Sequence, residues 1–340
     1  MTTYLDRAVP GMGRDAGVPW HYGDPLREQR SLATQAGVVD RSNRAVLVVP
    51  GQDRLGWLHT ICSQHLTALV NGDSTEALVL SPHGHAEQHW QVTELDGTVW
   101  LDTEPGAGAE SLAYLTKMQF LKRVAPADVS DEWAVLSLVG PTSLDVLAAT
   151  GLPEPGAAGR AIALPGGGFV RRMDWPMAGS VDLIVPRERA PEIMTTLVDG
   201  GAAPAGLWAF EALRIAARRP RLGNETDHRT IPHEVGWIGR AVHLDKGCYR
   251  GQETVARVQN LGRPPRRLAL VYFSGDSDEL PETGAAVELD GRTVGFLGTA
   301  LHHYEEGPIG LVVVKRNLAA GTSVSIAGQT ARETAGSTAT

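Results

Sequence analysis

The chain has 340 residues, 42% of them hydrophobic, which is enough to bury cores for two or three domains. A formal charge of -8 and a pI near 5.8 exclude nonspecific nucleic-acid binding through a broadly basic surface and leave only a local basic groove. The only two cysteines, Cys62 and Cys248, exclude a Cys-rich zinc or iron–sulfur site within one chain.

The N-terminal stretch "MTTYLDRAVPGMGRDAG" lacks an apolar signal core, so a cytoplasmic protein with reduced thiols is expected. "RAVLVVPG" reads as a buried strand. "QDRLGWLHTICSQHL" follows as a helix with Leu55, Leu58 and Cys62 at helical spacing, which turns Cys62 toward a core. "TEALVLS", "EQHWQVTEL" and "TVWLDT" are β-rich runs separated by the turn signals "PHGH" and "DG", and they predict consecutive antiparallel strands. The helix "GAESLAYLTKMQFLKRV" closes this unit.

The pattern then recurs: strand "WAVLSLVG", helix "PTSLDVLAAT", strands around "GGGFVRRMDW" and "GSVDLIVP", and helix "ERAPEIMTTLVDG". Loops of hairpin length favour antiparallel sheets over a doubly wound parallel one, so the fold class is α+β with two related sheet-and-helix units. "PAGLWAFEALRIAARR" is the best amphipathic helix and leads into the long polar connection "PRLGNETDHRTIPHEVGWIGR", a length that marks a functional or mobile loop. After "LGRPPRR" come strands only, "RLALVYFS", "AAVEL", "RTVGFLGTALH", "IGLVVVK" and "TSVSIAG", which predict a small β-barrel or sandwich. No apolar run is long enough to span a bilayer. The boundaries expected are 1–260 for two interleaved α+β lobes, 261–331 for the barrel and 332–340 for a polar, disordered tail.

Few residues carry chemistry on their spacing alone. His83, His85 and His89 in "SPHGHAEQHW", with His302 and His303, invite a metal site, but no helical two-His-and-carboxylate motif accompanies them and no metal is expected. "LPGGGF" lacks the Lys-Ser/Thr of a phosphate loop and is a turn. "HLDKGCYRGQET" sets Cys248 between Lys246 and Arg250, with Gly247 and Gly251 alongside. Nearby cations favour a thiolate, and glycines admit a ligand to the backbone; the alternative is a buried small cysteine among solvated cations.

"KGCYRGQE" resembles the signature of YgfZ-type folate-binding proteins, Lys-Gly-Cys-Tyr-x-Gly-Gln-Glu, at all seven fixed positions. These belong to a superfamily that includes the T-protein (aminomethyltransferase) of the glycine cleavage system. "VPGQDRLGWLHTICSQHL" looks like its early strand and helix, "FEALRIAARRPRLGNET" like its Leu-Arg helix and Gly-x-Glu turn, and "VGFLGTALH" like its terminal barrel. The resemblance implies three lobes, two α+β and one β-barrel, around a central channel that takes tetrahydrofolate or a related pterin. It also implies a role in assembly or repair of iron–sulfur clusters that supports tRNA modification, with iron–sulfur proteins or assembly factors as partners.

On this reading Cys248 is the candidate functional thiol, and Lys246, Gly247, Tyr249, Arg250, Gly251, Gln252, Glu253, Arg257, Arg214 and Glu225 are the candidate cofactor-binding residues. Gln252 and Glu253 suit the amide-like edge of a pterin, and Lys246, Arg250 and Arg257 suit its anionic tail, so the octapeptide is expected to wall the pocket. T-proteins carry an Asp-Asp pair where this chain has Gln88 and His89, and a further carboxylate near Ala216 is also absent. Loss of aminomethyl transfer is therefore expected. The alternatives are a one-carbon transferase that uses a displaced Glu87 or Glu225, or a binder of another flat heterocycle such as a flavin or deazaflavin.

Overall fold

The computed structural model describes residues 7–173 and 175–333. Two α+β lobes and a barrel pack around a shared centre. In the first lobe the strands Ala45–Pro50, Asp73–Leu80, Ala86–Leu95 and Thr98–Thr103 form an antiparallel sheet, with Ala127–Asp128 at its edge, and the helices Arg54–Ile61 and Gly108–Met118 cover one face. Alternation along these strands buries Leu47, Val49, Ala77, Val79, Trp90, Val92, Val99 and Leu101 against Trp57, Leu58, Cys62 and Leu115. Cys62 caps the first helix and is buried, as its spacing predicts.

The second lobe repeats the plan with Trp133–Val139, the helix Ser143–Thr150, strands Ala161–Ala163, Phe169–Arg172 and Val181–Pro186, and the helix Ala190–Asp199. In both sheets the second, third and fourth strands of the unit precede the first in spatial order, so the repeat is one of topology. The early strand Gly37–Asp40 joins this second sheet rather than the first, which interleaves the lobes. Its other neighbour, Ala203–Ala205, runs parallel to it, an exception to the antiparallel expectation.

The helix Leu207–Ala216 differs from its amphipathic reading. Every residue from Ala209 to Ile215 is buried, because Arg214 and Glu211 neutralise each other one turn apart and allow the polar face to pack inside. Two helices lack an apolar stripe and are not evident in the sequence: Pro25–Thr34, which buries Glu28 and Gln29, and Gln252–Leu261, whose only buried residue is Val255. The helix after Thr103 stops at Met118, and the chain turns at Phe120 with a positive φ of 45°.

Six strands from Arg266–Phe273 to Gln329–Glu333 close a barrel filled by Val271, Phe273, Val287, Leu297, Val312 and Ile326. The position 260/261 falls in the last turn of the helix Gln252–Leu261, ahead of the first barrel strand. Of the expected disordered tail, Arg332 and Glu333 belong to the last strand, where Glu333 pairs with Arg267 at 2.6 Å; the remainder, 334–340, lies outside the described residues, as do 1–6 and Asp174. Among the described residues no helix is long and apolar enough to cross a membrane.

Candidate functional site

Between the two α+β lobes and the segment from Leu207 to Arg240, a central cavity has two compartments that share Gln91, Trp175 and Arg219. The inner one adds Arg41, Arg44, His89, Phe210 and Arg214; the outer adds Glu76, Arg172 and Arg240. Among the described lining residues, seven arginines face four carboxylates, Asp15, Glu76, Glu104 and Glu211, in a chain whose total charge is negative.

Most of these charges neutralise one another. Arg171, 2% exposed, bridges Asp102 at 2.6 Å and Asp182 at 2.8 Å, and so joins the two sheets. Arg44 holds Asp102 at 2.8 Å; Arg221 holds Glu104 at 2.9 Å, Asp15 at 2.9 Å and Glu211 at 3.2 Å. Burial alone would raise the carboxyls of Asp102 and Glu104, but Arg171 and Arg44 around the first and Arg221 and Arg44 around the second hold both at about 2. Arg41 is different. Burial lowers it to about 10 and Arg44 repels it, while its carboxylate, Asp182, stands off at 3.5 Å. Its guanidinium sits 4.1 Å from the Phe210 ring centre and 5.8 Å from that of Trp175, whose other neighbour is Arg219 at 4.8 Å. The Trp175 indole nitrogen is buried without a partner among the described residues.

Gln88 and His89 part company. Gln88 faces the first lobe's core, where its carbonyl accepts from Ser111 Oγ at 2.9 Å, whereas His89 lines the cavity and contacts Glu76 at 2.9 Å. Glu76 comes from the neighbouring strand, two residues before Leu78, the partner of His89 in the ladder. Burial raises the Glu76 carboxyl, but hydrogen bonding to His89 and the charge of Arg219 outweigh it and hold the group at about 2. The displaced carboxylates expected from sequence are not in the cavity lining. Glu87 pairs on the surface with Arg250 at 2.9 Å, and Glu225, wholly buried, accepts from Arg214 at 3.1 Å, from the Arg221 amide at 2.8 Å and from Thr299 at 2.6 Å.

Of the candidate residues, Arg214 lines the cavity and Glu225 buttresses it. The octapeptide, residues 246–253, lines neither compartment. Its side chains clamp the first lobe instead. Lys246 Nζ donates to the carbonyl of His59, an orphan acceptor at the end of the helix Arg54–Ile61, and to those of Cys62 (2.7 Å) and Gln64 (3.0 Å) just beyond it. Tyr249 is buried with Leu78, Leu80 and Trp237. Gly251, at φ 83°, lies so close to the Asp73–Leu80/Ala86–Leu95 turn that a Cβ would fall 2.5 Å from Ser81 O. Gln252 donates to Lys246 O at 3.3 Å; Gly247, Glu253 and Arg257 are exposed.

Cys248 is free and exposed, but the hydrogen bonds and ion pair of Lys246 and Arg250 point them at other partners. Sequence reasoning missed Glu76, Arg41, Arg44, Arg219 and Arg221. His83 and His85 lie beside each other, His89 is paired elsewhere, and among the described residues no cluster of three or more His, Cys, Asp or Glu side chains is placed to hold a metal.

Residues 15–158 match the GCVT N-terminal domain. Over the whole length, the structure superposes on the glycine cleavage system aminomethyltransferase T of Bartonella henselae with a TM-score of 0.86, at 20% identity, covering 96% of this chain and 93% of that one. The chain has the aminomethyltransferase T fold. Similar sequences include the aminomethyltransferase of Rubrobacter xylanophilus, 28% identical over 287 residues (82% of this chain, 76% of that protein), and that of a Nostoc species, 24% identical over 315 residues (89% and 83%). In this T fold, the lobes bring together on one cavity wall charged residues that lie far apart in sequence.

Proposed function

We propose that the protein binds a reduced folate in the central cavity. The observation that carries this reading is the lining itself: the aromatic rings of Trp175 and Phe210, set edge to face, beside guanidinium groups in excess over carboxylates. A folate joins a flat heterocycle to an anionic glutamate tail, and the residues fit both parts. Trp175, with an unpartnered Nε1, and Arg41, with one distant carboxylate, would hold it inside; Arg172 and Arg240 stand in the outer compartment for the tail. When bound, a reduced folate supplies the nitrogens, one in the pterin ring and one in the bridge beside it, that carry a one-carbon unit.

The use of that folate follows from the resemblance of "KGCYRGQE": support of iron–sulfur cluster assembly or repair, and through it of tRNA modification, in the cytoplasm. The exposed Cys248 would meet the iron–sulfur partner. A second reading, aminomethyl transfer, is favoured by the His89–Glu76 pair in the cavity, which restores a carboxylate near the reacting region.

Calorimetry of the reduced protein with tetrahydrofolate tests the common core, and binding of a flavin or deazaflavin instead would refute it. Reconstituted glycine cleavage separates the two uses: a rate near that of an authentic aminomethyltransferase selects the second. Loss of iron–sulfur enzyme activity in cells carrying Cys248→Ser, with folate affinity intact, selects the first.

A further inference from the structure

We infer that the carboxamide of Gln91 pairs with an amide-like edge of the heterocycle in the central cavity, a hydrogen-bond donor beside an acceptor, and is a specificity residue for that ring. The inference rests on the folate reading above and assigns one contact within it.

Gln91 stands on the middle strand of three. Its ladder partners are Glu76 on one side and Asp102 on the other, so the three side chains form a row across one face of the first sheet. All four oxygens of the flanking carboxylates are taken, those of Glu76 by Arg219 and His89 and those of Asp102 by Arg171 and Arg44. The carboxamide between them is 4% exposed, makes no side-chain hydrogen bond among the described residues, and opens on both compartments of the cavity.

The polar neighbours on that face are already paired. Thr93, two residues on, meets Ser74 at 2.9 Å, and His89, two residues back, meets Glu76 at 2.9 Å. Asn43, the other carboxamide of the lining, donates to Asp15 at 3.4 Å. A buried amide without a partner costs stability, and an apolar side chain would fill the same place without that cost. Gln91 instead presents two N–H donors and a carbonyl to the cavity. A lactam edge, with N–H and C=O side by side, matches them in two parallel hydrogen bonds, and rotation of the amide about its last torsion meets either order of donor and acceptor. Trp175 and Arg219 are the other residues common to both compartments, so a ring lodged against the indole at this junction also meets the carboxamide.

Two readouts test this on the full-length protein with 5-formyltetrahydrofolate as the probe. Gln91→Met keeps the length of the side chain and removes both hydrogen-bonding groups. Calorimetry should show affinity about thirtyfold weaker, as expected for two lost hydrogen bonds, while the ligand-free variant melts at or above the wild-type temperature because no protein partner is lost. An amide with a purely structural role gives the opposite result, a lower melting temperature and unchanged affinity. Nitrogen-15 NMR of the glutamine side chains, with Gln91 assigned by the signal lost in Gln91→Met, should show its amide protons exchanging with water more slowly in the complex than in the free protein. Wild-type affinity in Gln91→Met, a lowered melting temperature, or amide exchange that the ligand leaves unchanged overturns the inference. If the wild type takes up no 5-formyltetrahydrofolate, the folate reading falls; the carboxamide then keeps its role only if flavin mononucleotide binds and loses the same factor in Gln91→Met, and otherwise falls with it.

Discussion

Lys246 opens the octapeptide, and its role is directly measurable. Its ammonium, buried over the Tyr249 ring 5.0 Å from the ring centre, supplies hydrogen bonds to the carbonyl of His59 at the end of the helix Arg54–Ile61 and to those of Cys62 and Gln64 just beyond it. The helix cannot satisfy the His59 carbonyl itself, since the Ser63 amide, next in line, donates to Leu78 O at 2.9 Å. Lys246→Met keeps the apolar stem and removes the donor. Hydrogen bonds to a charged group contribute about 1.5–3 kcal/mol each, but the lysine's own desolvation, visible as a lowered pKa, and water entering the gap offset part of the sum. A net loss of about 3 kcal/mol is expected. It should appear as a lower urea midpoint and as faster amide exchange confined to residues 59–66 and 243–251, with folate affinity unchanged because Lys246 lies outside the cavity lining. A variant as stable as the wild type, or one that keeps its stability and loses folate binding, refutes this reasoning.

The depressed carboxyls set the acid limit of stability. Asp102, Glu76 and Glu104 fall from ordinary values of 3.8 to 4.5 to about 2 in the fold, so their contribution is complete above pH 4.5 and is lost as the pH falls toward 2; a melting-temperature series should drop steeply below pH 4.5. Arg171→Met leaves Asp102 and Asp182 facing each other in the interior and should cost about 3–5 kcal/mol by urea unfolding, whereas a change near zero would mean that the carboxylates find other partners. A thiol reagent should modify one cysteine, Cys248, in the native protein, because Cys62 is buried and burial raises its thiol; peptide mapping that finds both labelled equally would contradict this.

Local pattern and short-range turns determined much of this protein. The alternating runs from Asp73 to Thr103 and the strand-only texture after Arg266 can be read because period-2 burial and hairpin turns involve neighbours in sequence. The octapeptide was legible as a motif, yet its side chains took structural work that no spacing discloses: Lys246 reaches carbonyls more than 180 residues away, and Gly251 meets the turn at Ser81. Helix Gln252–Leu261 escaped notice because one buried residue makes no stripe. The cavity lay furthest from view. Glu76 and Arg219 are separated by 143 residues, and Asp15 and Arg221 by 206. Gln88 and His89, adjacent in sequence, were read as equivalent losses, but alternation along one strand sends the first into a core and the second to the site. A charged side chain in the sequence looks like solvated surface. Only the tertiary structure decides which charges are buried, because an ion inside a protein is tolerated only beside a partner, and the closing of three lobes supplies that partner from a distant part of the chain.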